Sequence, residues 1–250
     1  MSRSASATAD EITTIDAALD DGDDAVQVGL IGHFRVVSTR RRYELTHSQA
    51  RLLALLCLRS GDVGREWLAG QLWDDVSTAT ALRRLRSTMS RLHHTIPGII
   101  RRGRDSVGLS TAVRVDLGEA RDRARRLVDG RADDAAALWS PEPFLDDVLV
   151  DWYDEWIDAD RNEFRNLRIH ALEVIARHLI ATEQFASAIE LCLVVLRTEP
   201  FRETTHSLIV QSHLAEGNRT EAIAHARGYD ALVQSELGIR PNVTWAFDAG

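Results

Sequence analysis

The chain has 250 residues, 44% of them hydrophobic, and a formal net charge of −8. That length suits two domains better than one, with enough apolar side chains to build real cores. The longest apolar run, Leu52–Leu58, is far short of the roughly 18 residues a membrane span needs, and the N-terminus lacks a signal-peptide pattern, so a cytoplasmic protein is expected.

The net charge conceals a segregation along the chain. Residues 1–25 carry Arg3 against seven acids, residues 26–115 fifteen arginines against six acids, and residues 116–250 fourteen arginines against twenty-five acids. The three segments therefore stand at −6, +9 and −11. A basic module fused to an acidic one reads as an anion-binding domain joined to a partner domain that does not bind anions. Every basic side chain outside histidine is arginine; the sequence contains no lysine.

Residues 1–25, rich in Ser, Ala and Asp, read as a disordered acidic tail. Val26 to Val37 alternates and is β-rich. A basic turn, Ser38–Arg42, leads to a short strand near Tyr43–Leu45. Thr46 is placed to cap a first helix, Ser48–Ser60, which Gly61 closes. Arg65–Trp73 reads as a second, shorter helix with Leu68, Leu72 and Trp73 inside. Asp74–Ser77 is the turn before a third helix, Thr78–Thr95.

That third helix carries the clearest functional signal. Leu82, Leu85, Met89 and Leu92 recur at spacings of three and four and share one face. Thr80, Arg83, Arg84, Ser87, Arg91 and His94 fall on the other. One side docks on a core while the other presents guanidinium, hydroxyl and imidazole groups to something polar and anionic. Directly after it, Ile99–Leu109 reads as a β-hairpin tipped by Gly103-Arg104-Asp105 and lined by Arg101, Arg102 and Arg104. A helix for a groove beside a basic wing is the layout of a winged helix-turn-helix DNA reader. Arginine donates two hydrogen bonds to the O6 and N7 acceptors of guanine, which makes Arg83, Arg84 and Arg91 the base-reading candidates. The wing arginines are candidates for phosphate or a narrow minor groove.

Val113–Leu117 is a further strand-like segment, and beyond Gly118 strand signals vanish. Leu117–Leu138 reads as one helix or two short ones, followed by the loop Ser140–Pro143. Helical stretches then run over Val150–Thr182, Ala186–Arg197, Glu203–Glu216 and Thr220–Leu237. A weak repeat at an offset of 34 matches Ile175 with Ile209, Ala181 with Ala215, and Ala188-Ile189 with Ala222-Ile223. This period fits tetratricopeptide-type helical hairpins. Trp139, Trp152, Trp156 and Trp245 are read as packing residues.

The order of these segments resembles the Streptomyces antibiotic regulatory proteins, which join an OmpR-like winged helix to a bacterial transcriptional activator domain. Val28–Gly32, Gln49–Leu56, Leu72-Trp73 and Ser90-Arg91-Leu92 carry the resemblance in the first half. Ala137-Leu138-Trp139, Trp156 and Glu236–Pro241 carry it in the second. Two places depart from the family: Ser106–Leu109 stands where a Gly-Tyr pair follows the wing tip, and His93-His94 stands where arginines end the reading helix. The resemblance implies a mainly α fold with a small antiparallel β component, with the winged helix at 26–115 and a TPR-like activator domain at 116–250. It implies an activator that binds direct repeats of double-stranded DNA near promoters, as a homodimer at the nucleoid, and recruits RNA polymerase holoenzyme for a specialised-metabolite (antibiotic) gene cluster. Asp74 and Asp75, in the loop before the reading helix, are by the same resemblance candidates for the polymerase contact.

Two other readings stay open, an interaction adaptor whose winged helix has lost DNA and a ligand-gated regulator acting through the helical repeats. No enzyme, cofactor or metal is expected. The chain has no P-loop, Cys-x-x-Cys, His-Glu-x-x-His or Gly-x-Ser-x-Gly. Its two cysteines, Cys57 and Cys192, sit far apart in apolar helical runs and read as reduced core thiols. The contrast of −6 against +9 raises a further expectation, that the acidic tail competes with DNA for the basic domain.

Overall fold

The computed structural model describes residues 25–59, 61–131 and 136–241. The acidic tail (residues 1–24) and Trp245 lie outside them. The fold is mainly helical with a small β component, and it divides into two compact units. The first takes the residues up to Glu119 together with Asp147–Arg161, and the second takes Ala120–Asp146 and the residues from Asn162 onward.

In the first unit, strands β1 (Gln27–Gly29) and β2 (Arg35–Val37) pair antiparallel, Val28 facing Val36, and β6 (Arg114–Val115) joins β1 in parallel. The expected strand at Tyr43–Leu45 is reduced to one bridge, Val37 to Arg42. Helix α1 (His47–Leu58) follows, then β3 (Val63–Gly64), α2 (Arg65–Leu72) and α3 (Thr78–Thr95). Strands β4 (Ile100–Arg102) and β5 (Ser106–Leu109) form the expected hairpin, and β3 adds to it in the order β3-β5-β4. Along α1, Leu52, Leu53, Ala54 and Leu55 are fully buried in succession, so this helix has almost no solvent face through its middle. Each such leucine contributes about 1.5–3 kcal/mol. Against α1 pack α2, α3 and β5.

One return of the chain was not expected. Beyond Gly118 the sequence shows no strand pattern, yet Val148 forms an antiparallel bridge to Ile31. The Gly32 amide donates to the Asp147 carbonyl at 2.8 Å and the Leu149 amide to the Leu30 carbonyl at 2.8 Å. The same stretch brings Trp152 against Phe34, 5.4 Å between ring centroids. Helix α5 (Asp158–Ala181) accordingly starts later than Val150, after a 3-10 turn at Glu155–Ile157. At the start of α4 (Asp116–Val128), the Asp116 carboxylate accepts the Leu30 amide at 2.7 Å and an Arg35 N–H at 3.1 Å. Burial pushes this carboxyl above the usual aspartate value, against the pull of those donors.

The second unit is built from helices: the rest of α4, a 3-10 turn at Ala136–Trp139, the body of α5, then α6 (Phe185–Leu196), α7 (Glu203–Ala215) and α8 (Arg219–Leu237). The offset of 34 is visible in its turns. Helices end at Ala181 and Ala215 and restart at Phe185 and Arg219. Between them Glu183 has φ 60° and Gly217 φ 89°. The Gln184 amide reaches back to the Leu179 carbonyl as the Asn218 amide does to His213, both at 2.8 Å. This is the same left-handed helix stop written twice. Ile175, Ala188, Ile209 and Ala222, four of the repeated positions, are buried.

Two polar clusters sit inside this unit. Glu173, 3% exposed, accepts two N–H groups from Arg202 at 2.7 and 3.0 Å and the Thr205 hydroxyl at 2.9 Å. Burial alone would raise its pKa, but these donors and the nearby Arg177 charge outweigh it and hold it below the usual glutamate value. The second cluster joins His206 to His225, with 3.0 Å between Nδ1 and Nε2, and His206 Nε2 to the Pro200 carbonyl at 2.9 Å. Burial, then the neighbouring His206 and His213, lowers the His225 pKa to about 4, and burial lowers that of His206. Cys192 is buried and its thiol pushed up to about 12 by burial, then by Glu173. Cys57 is half-buried, its thiol raised by burial and then by Asp116, and both cysteines are free.

Two outcomes follow from these turns and clusters. A Cβ at Gly217 would meet no atom within 4 Å, so Gly217→Ala tests backbone conformation alone. It should destabilise by about 1 kcal/mol, read by chemical denaturation. The depressed histidines bind fewer protons folded than unfolded, so their contribution is complete above about pH 6.5 and is lost as pH falls toward about 4. The urea midpoint should therefore decline between pH 7 and 5, and His225→Asn should flatten that decline.

Candidate nucleic-acid interface

Helix α3 has the bounds and the two faces read from its sequence. Leu85, Met89 and Leu92 are buried, with Ala81 and Thr88 beside them, while Leu82 is half-buried. Arg83, Arg84, Ser87, Arg91 and His94 are exposed on the opposite side, and Thr80 is half-buried. Thr80 accepts an N–H from Arg83 at 3.1 Å and the Ser77 hydroxyl at 3.1 Å, which ties the first turn of the helix together. Arg84 lies 3.8 Å from the exposed carboxylate of Asp75, a loose pair that solvent screens. The Arg91 guanidinium has no hydrogen-bond or ion-pair partner among the described residues. Asp74 and Asp75 are both exposed in the turn before α3.

The three wing arginines have different surroundings. Arg101 pairs with Asp62 at 3.0 Å and donates to the Leu109 carbonyl at 3.2 Å. Gly108 lies opposite Arg101 in the hairpin register, and a Cβ there would strike the Asp62 carboxylate. The pair crosses the strand at that point because residue 108 has no side chain. Arg102 donates from Nη2 to the Met89 carbonyl of α3 at 3.3 Å, fastening the wing to the reading helix. Only Arg104, at the tip, has no intramolecular partner for its guanidinium among the described residues.

The residues that hold this face were not all legible beforehand. Gln49 is 4% exposed; its Oε1 accepts the Thr46 amide at 2.9 Å, and its Nε2 donates to Thr95 Oγ1 at 3.1 Å. Thr95 in turn donates to the Arg91 carbonyl at 3.0 Å, so the last turn of α3 is secured to the first turn of α1. Thr46-x-x-Gln49 is a capping-box spacing, a signal available in the sequence. The basic cluster Arg40-Arg41-Arg42 is exposed, with Arg41 over the Tyr43 ring at 4.5 Å. Between α2, α3 and the wing lies a cleft of about 390 Å³ lined by Trp67, Leu82, Arg86 and Met89 among others. Among the described residues, no group of His, Cys, Asp and Glu is placed to hold a metal ion, and no helix is long and apolar enough to cross a membrane.

Comparison with known proteins places this architecture. The family model of the bacterial transcriptional activator domain matches residues 105–245, more than half of the chain. The chain belongs to this family. Its winged helix stands before the helical domain that the family model covers, the order that the resemblance to the Streptomyces antibiotic regulatory proteins led one to expect. No curated protein sequence matches it. Among solved structures it is similar to Mycobacterium tuberculosis EmbR in complex with a low-affinity phosphopeptide, with a TM-score of 0.74 at 20% identity. The similarity covers 89% of this chain and 63% of that one, so the chain spans less than two thirds of that structure's length.

The bonds of Gln49 give one expected outcome. Gln49→Leu keeps the volume but removes the amide that caps α1 and steadies Thr95. It should cost about 1–2 kcal/mol in chemical denaturation, because two partners lose their bonds at once.

Proposed function

We propose that this regulator binds double-stranded DNA sequence-specifically and activates transcription, with α3 in the major groove and the β4–β5 wing on the adjacent backbone. The observation that carries the reading is the exposed polar face of α3, Arg83, Arg84, Ser87, Arg91 and His94, standing beside an arginine-tipped hairpin in a segment of charge +9. Arginine forks read guanine edges, while hydroxyls and a tip arginine meet phosphate. The division of labour follows the charge: residues 26–115 bind DNA, and residues 116–250, at −11, serve self-association or contact with the transcription machinery.

The finer reading rests on family membership. Binding as a homodimer to direct repeats near promoters, recruitment of RNA polymerase through Asp74 and Asp75, and control of a specialised-metabolite gene cluster from the nucleoid belong to this proposal. Exposure of both aspartates is consistent with the polymerase contact.

The deciding experiment is genome-wide binding of the tagged protein in its host, with Arg83→Ala/Arg91→Ala as control. Sharp peaks over direct repeats upstream of promoters, lost in the double variant, would support the reading. A folded protein without peaks would favour an interaction adaptor. On the operator recovered in this way, Arg83→Ala should cost about 1–3 kcal/mol and relax preference at one base pair. Equal losses on operator and random duplex would remove Arg83 from base reading.

A further inference from the structure

The wing tip is held by a residue outside the wing. Arg65 opens α2, immediately after β3, and is half-buried beneath the hairpin. Its guanidinium Nη2 donates to the Gly103 carbonyl at 2.8 Å, and its backbone amide donates to the Asp105 carbonyl at 3.0 Å. The Gly103 amide closes the turn onto the Ser106 carbonyl at 3.1 Å. Both carbonyls that flank Arg104 are therefore turned inward to one residue, and the Arg104 side chain stands exposed at the tip. The Nε of Arg65 is buried without a partner among the described residues, so the guanidinium is kept in place at the cost of an unmade hydrogen bond. Glycine at 103 would otherwise leave the tip loosely defined.

We infer that Arg65 is a positioning residue for DNA binding: it sets the reach of the wing so that Arg104 meets a backbone phosphate. Arg101 and Arg102 are committed to Asp62 and to the Met89 carbonyl, so they stiffen the hairpin and bind it to α3, while Arg104 makes the wing's phosphate contact. The division has a physical motive. A side chain at a free hairpin tip samples many orientations, and the entropy lost on contact subtracts from the contact. A tip whose backbone is already fixed loses less. The inference rests on the DNA-binding reading above.

Salt titration of the full-length protein on a short mixed-sequence duplex tests it, because each phosphate contact adds about 0.9 to the log–log slope of affinity against salt. Arg104→Ala should reduce that slope by about 0.9 in the otherwise native chain. In an Arg65→Met background, which keeps the aliphatic stem but has no donor, Arg104→Ala should change the slope hardly at all. Comparing Arg104→Ala within each background removes the effect of losing the Arg65 charge itself. Arg65→Lys keeps a charge and one flexible donor, and there the decrement should be intermediate. If Arg65→Met does not fold, the Arg65→Lys comparison decides alone. A full decrement in every folded background would overturn the inference and make Arg65 a stability residue only. An unmodified chain that binds no duplex at any salt would overturn the DNA-binding reading itself, a distinguishable result.

Discussion

The reading face depends on a helix that never touches DNA in the proposed reading. Helix α1 is buried almost all round at Leu52–Leu55, and α2, α3 and the wing strand β5 all lean on it. A helix with one apolar stripe can rotate about its axis by small amounts at little cost. One packed on every side cannot, because any rotation opens a void or forces a clash. The Gln49–Thr95 bond then fixes α3 to α1 at a single point in register. About two turns rich in leucine and one amide together determine which α3 side chains face outward.

Much of this was legible from residue order. Helix α3 was readable to its bounds because a period of three and four between Leu82 and Leu92 admits one inward face. The hairpin was readable because Gly103-Arg104-Asp105 interrupts two short β-rich runs. The offset of 34 was readable only as a few matched residues, and the structure adds what sequence identity concealed: Glu183 and Gly217 are different residues in the same left-handed turn. What was not legible is long-range pairing. Asp147–Val150 shows no alternation, since its consecutive residues Val148 and Leu149 are both buried and Leu149, at φ 47°, breaks the extended backbone that would send them to opposite faces. The difference between Arg101, Arg102 and Arg104 was equally hidden, because it depends on Asp62 and on a carbonyl of α3.

A chain without lysine must use arginine for every cationic task, structural as well as recognitive. The structure shows the consequence. Arg59 bonds Asp160 at 2.7 Å and lies over the Trp67 ring at 5.5 Å. Arg161 donates to three carbonyls, of Val148, Leu149 and Trp152. Arg168, 3% exposed, donates to the Phe144 carbonyl at 2.9 Å. These planar forks act as rigid connectors between loops. Total positive charge therefore overstates the cationic surface, and the basic character of residues 26–115 has to be judged from the few guanidiniums left outside such bonds.

The return of Asp147–Arg161 to the first unit has an implication for how such proteins change over evolutionary time. A module that is continuous in sequence can be copied, fused or lost in a single genetic event. Here the first unit borrows a segment encoded some thirty residues beyond its own end, supplying backbone partners for Leu30 and Gly32 and an indole for Phe34. A gene break placed after Val115 would leave that edge open, with unpaired amides and a bared aromatic ring, the features that invite strand-to-strand aggregation. The winged helix is thus inherited with the beginning of its neighbour, and recombination between regulators has to cut after Arg161 to move it whole.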